Sequence, residues 1–139
     1  METKDKGFNS KLVHGGGFKD VLHSAVTPIY QTSTFSFNNA DHGAKCFSGE
    51  SDGYIYTRLG NPTINDLENT VAELENGYGG IATSSGMGAV NTVYLGFLEA
   101  GSHFIGHEAL YGPSRAIMES LDPKFKVEHT FVNATQFEE

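Results

Sequence analysis

The sequence is poor in the features that most readily mark a function. It has one cysteine, Cys46, so an intramolecular disulfide and a cysteine-rich zinc site are both excluded, and a reducing, cytoplasmic setting is expected. It has two arginines, Arg58 and Arg115, and its formal net charge is −8. No cluster of Lys or Arg offers a stripe to a nucleic-acid backbone or an anionic membrane, so neither is an expected partner. No apolar run approaches the length of a membrane span, and Met1 to Ser10 lacks the apolar core of a signal peptide. Internal repeats and low-complexity tracts are missing too. Histidines 14, 23, 42, 103, 107 and 129 form no recognisable ligand set, and no metal is expected.

Glycine, in contrast, is abundant. The 17 glycines added to a hydrophobic fraction of 38% bring the apolar share to that of ordinary globular proteins. A chain of 139 residues suffices for one domain that buries about two thirds of its unfolded surface. Residues 1–60 hold eight of the glycines with scattered aromatics and show neither helical nor strand periodicity for long, which predicts an extended arm. So much irregular chain is unusual inside a compact domain, so the arm is expected to pack on another subunit or a later part of the chain.

From Asn61 the pattern becomes periodic. Asn61 as a cap, Pro62 at the first helical position, and Ile64, Leu67, Val71 and Leu74 on one face predict a helix over 62–76. A short strand is expected at 80–83, then a turn of small residues. A second amphipathic helix follows, with Val90, Val93, Tyr94, Phe97 and Leu98 on its apolar face and Gly101 after its end. A strand at 103–106, a helix at 114–121 stopped near Pro123, and a strand alternating through Val127, His129 and Phe131 complete the series. Strands alternating with helices imply an α/β fold with a mostly parallel sheet. Asn133 with Gln136 resembles a capped helix start with only three residues after it, so the chain is expected to be the truncated beginning of a longer protein.

Three places can carry chemistry. Ser84-Ser85-Gly86-Met87-Gly88-Ala89 lies between a strand and a helix, where unpaired N–H groups and the macrodipole form an anion site; a tight turn needing glycine for its geometry reads equally well. It is neither a P-loop nor the full dinucleotide glycine pattern. Tyr54-Ile55-Tyr56-Thr57-Arg58-Leu59-Gly60-Asn61-Pro62-Thr63 sets an arginine among tyrosines, which suits a phosphate, or else a surface Arg lying over aromatic rings. Leu110-Tyr111-Gly112 follows a strand where open α/β sheets place their ligands; Tyr111 either stacks on a flat ligand or is an ordinary half-buried tyrosine.

These blocks, with His14-Gly15-Gly16 and Pro28-Ile29-Tyr30-Gln31-Thr32-Ser33-Thr34-Phe35, resemble the pyridoxal 5'-phosphate (PLP) dependent enzymes of cysteine and methionine metabolism, in order and over nearly the whole chain. The family includes methionine γ-lyase, cystathionine γ-lyase, cystathionine γ-synthase and O-acetylhomoserine sulfhydrylases. The resemblance implies a fold type I PLP-dependent transferase-like architecture. Residues 1–60 would be an intersubunit arm, residues 61–139 the first, incomplete part of the PLP-binding domain, and the whole a homotetramer built of dimers. It also implies that Tyr56 and Arg58 reach the cofactor phosphate of a neighbouring subunit, and that Ser85, Gly86 and Met87 hold the phosphate within their own. Tyr111 would stack on the pyridine ring and assist departure of the γ-substituent.

Gly43 to Glu50, with the Tyr-Thr-Arg block after it, looks most similar to methionine γ-lyases, except that Pro113 stands where those enzymes usually carry a cysteine. The implied reaction is γ-elimination on a sulfur amino acid, giving a thiol, ammonia and a 2-oxo acid. The alternative is γ-replacement on an activated homoserine. The family's cofactor-bearing lysine has no counterpart among the seven lysines here, so the chain alone is expected to be inactive. An alternative of another class is a non-catalytic module that pairs with a full-length subunit.

Overall fold

The computed structural model describes residues 6–136. The chain divides into two compact units, Met1–Ala82 and Thr83–Glu139. Among the described residues no helix is long and apolar enough to cross a membrane.

The first unit contains helices α1 (Phe8–His14), α2 (Ala40–Ser48) and α3 (Pro62–Leu74). α3 begins as its sequence predicts: the Asn61 side chain accepts from Thr63 N and Pro62 occupies the first position, where its missing N–H costs nothing. The helix ends a turn's fraction early, and Asn76 takes φ 53° just beyond it. α1 packs against α3, with Lys11 Nζ 4.0 Å from Glu73 Oε1. Residues 28–34 and 54–63 run side by side, joined by the antiparallel Thr34–Tyr56 bridge.

Two helices thus interrupt the stretch expected to be an extended arm. At 7 and 9 residues they are too short for periodicity to accumulate. The signals of α2 are nonetheless local. Asn39 accepts from His42 N at one end, and Gly49 at φ 75° closes the other in the left-handed conformation that glycine adopts without a steric cost.

The second unit is built from α4 (Gly86–Phe97), β1 (His103–His107), α5 (Gly112–Phe125) and β2 (Glu128–Val132). β1 and β2 pair in parallel with His103 opposite Glu128 and His107 opposite Val132, and α5 is the crossover between them. This is the parallel α/β arrangement that the alternation of elements predicts. Tyr94 from α4, Met118 and Leu121 from α5, and Val127 form the core, with Val90, Leu98, Phe104, Leu110, Ile117 and Phe131 packed around it. Met118 is 2% exposed, and burying such a side chain stabilises by about 1.5 to 3 kcal/mol. Arg115 lies 4.2 Å from the centre of the Phe131 ring and pairs with Glu119 at 2.8 Å, fastening α5 over β2.

Two expected boundaries are corrected. Residues 80–83 are not a strand: among the described residues no segment pairs with them, and Ala82 N donates instead to Glu68 Oε1 at 2.7 Å. A strand requires a ladder partner, and sequence alternation cannot supply one. Pro123 does not stop α5 but sits within its last turn, and the helix ends at Phe125, before Lys126 takes φ 56°. Near a C-terminus proline interrupts only one backbone bond, which the packed helix tolerates. The expected helix start at Asn133 is a turn as far as Gln136: Asn133 Oδ1 accepts from Thr135 N and Gln136 N donates to Asn133 O. Its continuation lies outside the described residues.

Candidate functional site

The start of α4 has the geometry of an anion site. Ser85 is extended, at φ −161°, and caps the helix by accepting from Gly88 N at 3.0 Å. Ala89 N donates to Ser85 O in the first helical bond, while Thr83 Oγ1 donates to the same carbonyl at 2.7 Å and tightens the turn. Among the described residues, the amides of Gly86 and Met87 find no acceptor. They are the orphan donors every helix start leaves, and the macrodipole adds about half a positive charge behind them. A Cβ on Gly86 would meet nothing within 4 Å, so its backbone is open to a ligand. Gly88 has a different role, since a Cβ there would approach Ser85 Oγ to 3.2 Å and crowd the cap.

Tyr111 stands between β1 and α5. Its carbonyl accepts from Arg115 N at 3.1 Å, which makes it the residue that opens the helix, and its side chain is 69% exposed. An exposed ring beyond the carboxyl end of a parallel strand is where such sheets receive ligands. Three residues on, the buried Ser114 hydroxyl donates to Met87 Sδ at 3.7 Å. That contact joins the helix start that carries Tyr111 to the turn that carries Gly86 and Met87.

Tyr56 and Arg58 belong to the first unit. Leu59 N and Gly60 N both donate to Tyr56 O, closing a turn around the pair. Thr57 between them faces inward, while Tyr56 and Arg58 are exposed and the guanidinium carbon lies 5.5 Å from the tyrosine ring centre. The arginine over a tyrosine expected of a plain surface residue is therefore present. The same stacking leaves the guanidinium N–H groups at the surface, where a phosphate could meet them.

The six predicted residues thus fall into two groups. Tyr56 and Arg58 stand together in the first unit; Ser85, Gly86, Met87 and Tyr111 stand in the second.

The model of the Cys/Met metabolism PLP-dependent enzymes matches residues 9–139. The chain belongs to this family. It is 46% identical over 139 residues to L-methionine gamma-lyase of Fusobacterium nucleatum subsp. nucleatum, covering 100% of this chain and 35% of that protein. It is 36% identical over 135 residues to O-acetyl-L-homoserine sulfhydrylase of Leptospira meyeri, covering 95% and 30%. A crystal structure from Campylobacter jejuni subsp. jejuni that carries N'-pyridoxyl-lysine-5'-monophosphate matches with a TM-score of 0.85 at 27% identity, over 96% of this chain and 33% of that one. The chain therefore spans about a third of the length of the relatives it matches.

The cofactor of the family carries a phosphate dianion, and the start of α4 fits one: two unpaired amides, an open glycine and a favourable dipole converge there, with no carboxylate in the first turn. The turn and helix start expected at Ser84 to Ala89 are thus present in this chain's own geometry, without a paired strand before them among the described residues.

Two residues went unremarked as site elements. Asn61 reads in the sequence only as a helix cap, and Ser114 only as the first residue of a helix. Both matter through contacts to residues distant in sequence, which no local pattern signals.

Proposed function

We propose that this chain is part of a PLP-dependent carbon–sulfur lyase that converts a sulfur amino acid such as methionine, with water, into a thiol, ammonia and a 2-oxo acid. The observation that carries the reading is the 46% identity to an L-methionine gamma-lyase across all 139 residues. PLP, when bound, supplies the electron sink that makes the α- and β-protons of the substrate acidic. The chain's own residues anchor and orient. The Gly86 and Met87 amides hold the phosphate, with Ser85 fixing the turn. Tyr56 and Arg58 donate to the phosphate of a neighbouring subunit, and Tyr111 stacks on the ring and gives its phenolic proton to the departing thiolate.

That reading requires association, here a homotetramer built of dimers with residues 1–60 as the intersubunit arm. Its support is apolar surface. Val21, Leu22, Val26 and Ile29 are each at least 75% exposed. A cytoplasmic location accords with the single free cysteine, Cys46.

The second reading, γ-replacement on an O-acyl-homoserine by sulfide or a thiol, draws on the 36% identity to the Leptospira meyeri sulfhydrylase. The complete enzyme separates the two. Release of 2-oxobutanoate and ammonia from methionine supports elimination; consumption of O-acetylhomoserine only when sulfide is supplied, with no 2-oxo acid from methionine, replaces it with the second reading. Arg58→Ala tests the anchor. It should weaken PLP binding by about 1.5 to 3 kcal/mol, the worth of a charge-assisted hydrogen bond, and an unchanged affinity returns Arg58 to a surface role.

A further inference from the structure

Among the described residues, the most completely buried polar side chain of the first unit stands three positions after Arg58, at the start of α3. Asn61 is 2% exposed, and both ends of its amide are engaged. Its Oδ1 accepts from Thr63 N at 2.9 Å, which is the helix cap. Its Nδ2 donates to Tyr30 O at 2.9 Å and to Thr57 Oγ1 at 3.1 Å, and neither bond serves the helix. Thr57 Oγ1 in turn donates to Thr32 O, and Thr57 N donates to Ser33 O at 2.9 Å. Thr63 Oγ1 adds a parallel tie, donating to Pro28 O at 2.8 Å and accepting from Tyr30 N at 2.9 Å.

The consequence follows from the turn. Thr57 lies within the turn that Leu59 N and Gly60 N close on Tyr56 O, so clamping the half-buried Thr57 fixes the backbone from which the exposed Tyr56 and Arg58 side chains project. A cap alone needs only the Asn61 oxygen, and serine caps a helix about as well as asparagine. The two bonds from the nitrogen are extra, and a half-satisfied buried amide would be costly, so their pairing defines one arrangement of the turn.

The geometry points to Asn61, acting through Thr57, as the positioning residue that holds Tyr56 and Arg58 in the orientation that meets a phosphate. This rests on the reading above that Tyr56 and Arg58 contact the cofactor phosphate. Asn61 itself touches no ligand. Its contribution is preorganisation: the two donors arrive already aimed, and little ordering is left to accompany binding.

The test uses the complete apo-enzyme titrated with PLP and, separately, with pyridoxal, which lacks the phosphate. Asn61→Ser keeps the cap but is too short to reach Tyr30 O and Thr57 Oγ1; Thr57→Val removes the acceptor and leaves Asn61 in place, so the pair remains informative if either variant folds poorly. Each should lower PLP affinity about tenfold and leave pyridoxal affinity unchanged. Thr57→Ser, which restores the hydroxyl, should bind PLP as the parent does. In an Arg58→Ala background each variant should weaken PLP by less than it does in the parent, since only Tyr56 is left to be positioned. Equal losses for PLP and pyridoxal would mean a general structural role and overturn the assignment. Parent-like PLP affinity in both variants, with Arg58→Ala weakened, would overturn it while sparing the phosphate reading. Parent-like affinity in Arg58→Ala would remove both.

Discussion

The Ser114 hydroxyl donates to the thioether of Met87 across 3.7 Å, so the first turn of α5 is tied to the first turn of α4. Ser114 is buried, so solvent replaces this acceptor poorly. Removing the donor and removing the acceptor therefore differ. Ser114→Ala deletes a polar group along with its bond and should cost about 0.5 to 1.5 kcal/mol, whereas Met87→Leu keeps the volume but strands a buried hydroxyl and should cost more, up to about 3 kcal/mol. The double variant should fall short of the sum. Chemical denaturation of the three variants measures all of this, and strict additivity would mean that the contact contributes nothing.

Tyr111 separates two roles by a single oxygen. Its ring is exposed at the opening of α5, and stacking on a cofactor would survive Tyr111→Phe. Proton donation to the leaving thiolate would not. In the complete enzyme this substitution should leave PLP affinity near the parent value and slow thiol release by about a hundredfold, the size of a general-acid contribution. Exchange of the substrate α-proton with solvent deuterium provides the comparison. Equal slowing of exchange and release would leave Tyr111 as a ring support alone.

Gly16 packs against Asp66, which accepts from Phe18 N at 3.4 Å and from Thr27 Oγ1 at 2.6 Å. A Cβ at Gly16 would collide with that carboxylate and lie 2.6 Å from the Asp66 carbonyl. Gly16→Ala should destabilise the first unit by about 1 to 3 kcal/mol as both bonds to Asp66 are displaced. Gly79, where a Cβ meets nothing within 4 Å, is the control. Gly79→Ala should be neutral or stabilising by up to about 1 kcal/mol, because alanine restricts the unfolded chain. Similar midpoints for the two variants in urea would count against the close packing at Gly16.

Burial raises the phenol pKa of Tyr94 above 10.0. The folded chain therefore holds this proton more tightly than the unfolded chain does. Its share of stability is complete below about pH 10 and is lost as pH rises through the folded value. Tyr94→Phe should flatten this alkaline decline while changing stability at neutral pH by less than about 1.5 kcal/mol, since the ring and its packing on Phe104 remain. Urea midpoints at neutral pH and at about pH 11 decide the matter; an unchanged alkaline slope would assign it to other groups.

Local chemistry made much of this legible. Asn61 and Pro62 announced α3 because a cap and a pre-set φ act within one turn. The alternation of Val127, His129 and Phe131 announced β2 because its two faces differ in burial. The turn from Ser85 to Gly88 was readable as a candidate anion site for the same reason: donors, dipole and glycine all lie within four residues. Where the reading failed, a partner was missing from the local pattern. Residues 80–83 have strand-like composition and, among the described residues, no strand to pair with, and Pro123 is tolerated because the packing of Met118 and Leu121 holds α5 through its last turn.

The sequence by itself determined α3, α4, β1, α5 and β2, the family blocks and the chemical type of each candidate residue, since these depend on side-chain identity and spacing along a single helix or strand. Tertiary structure alone decided which residues support the site. Nothing local links Ser114 to Met87, 27 positions away, or Asn61 to Tyr30, 31 positions away. Such pairs form because folding removes water from both partners, and a buried polar group must then find its hydrogen bond wherever the chain has brought one.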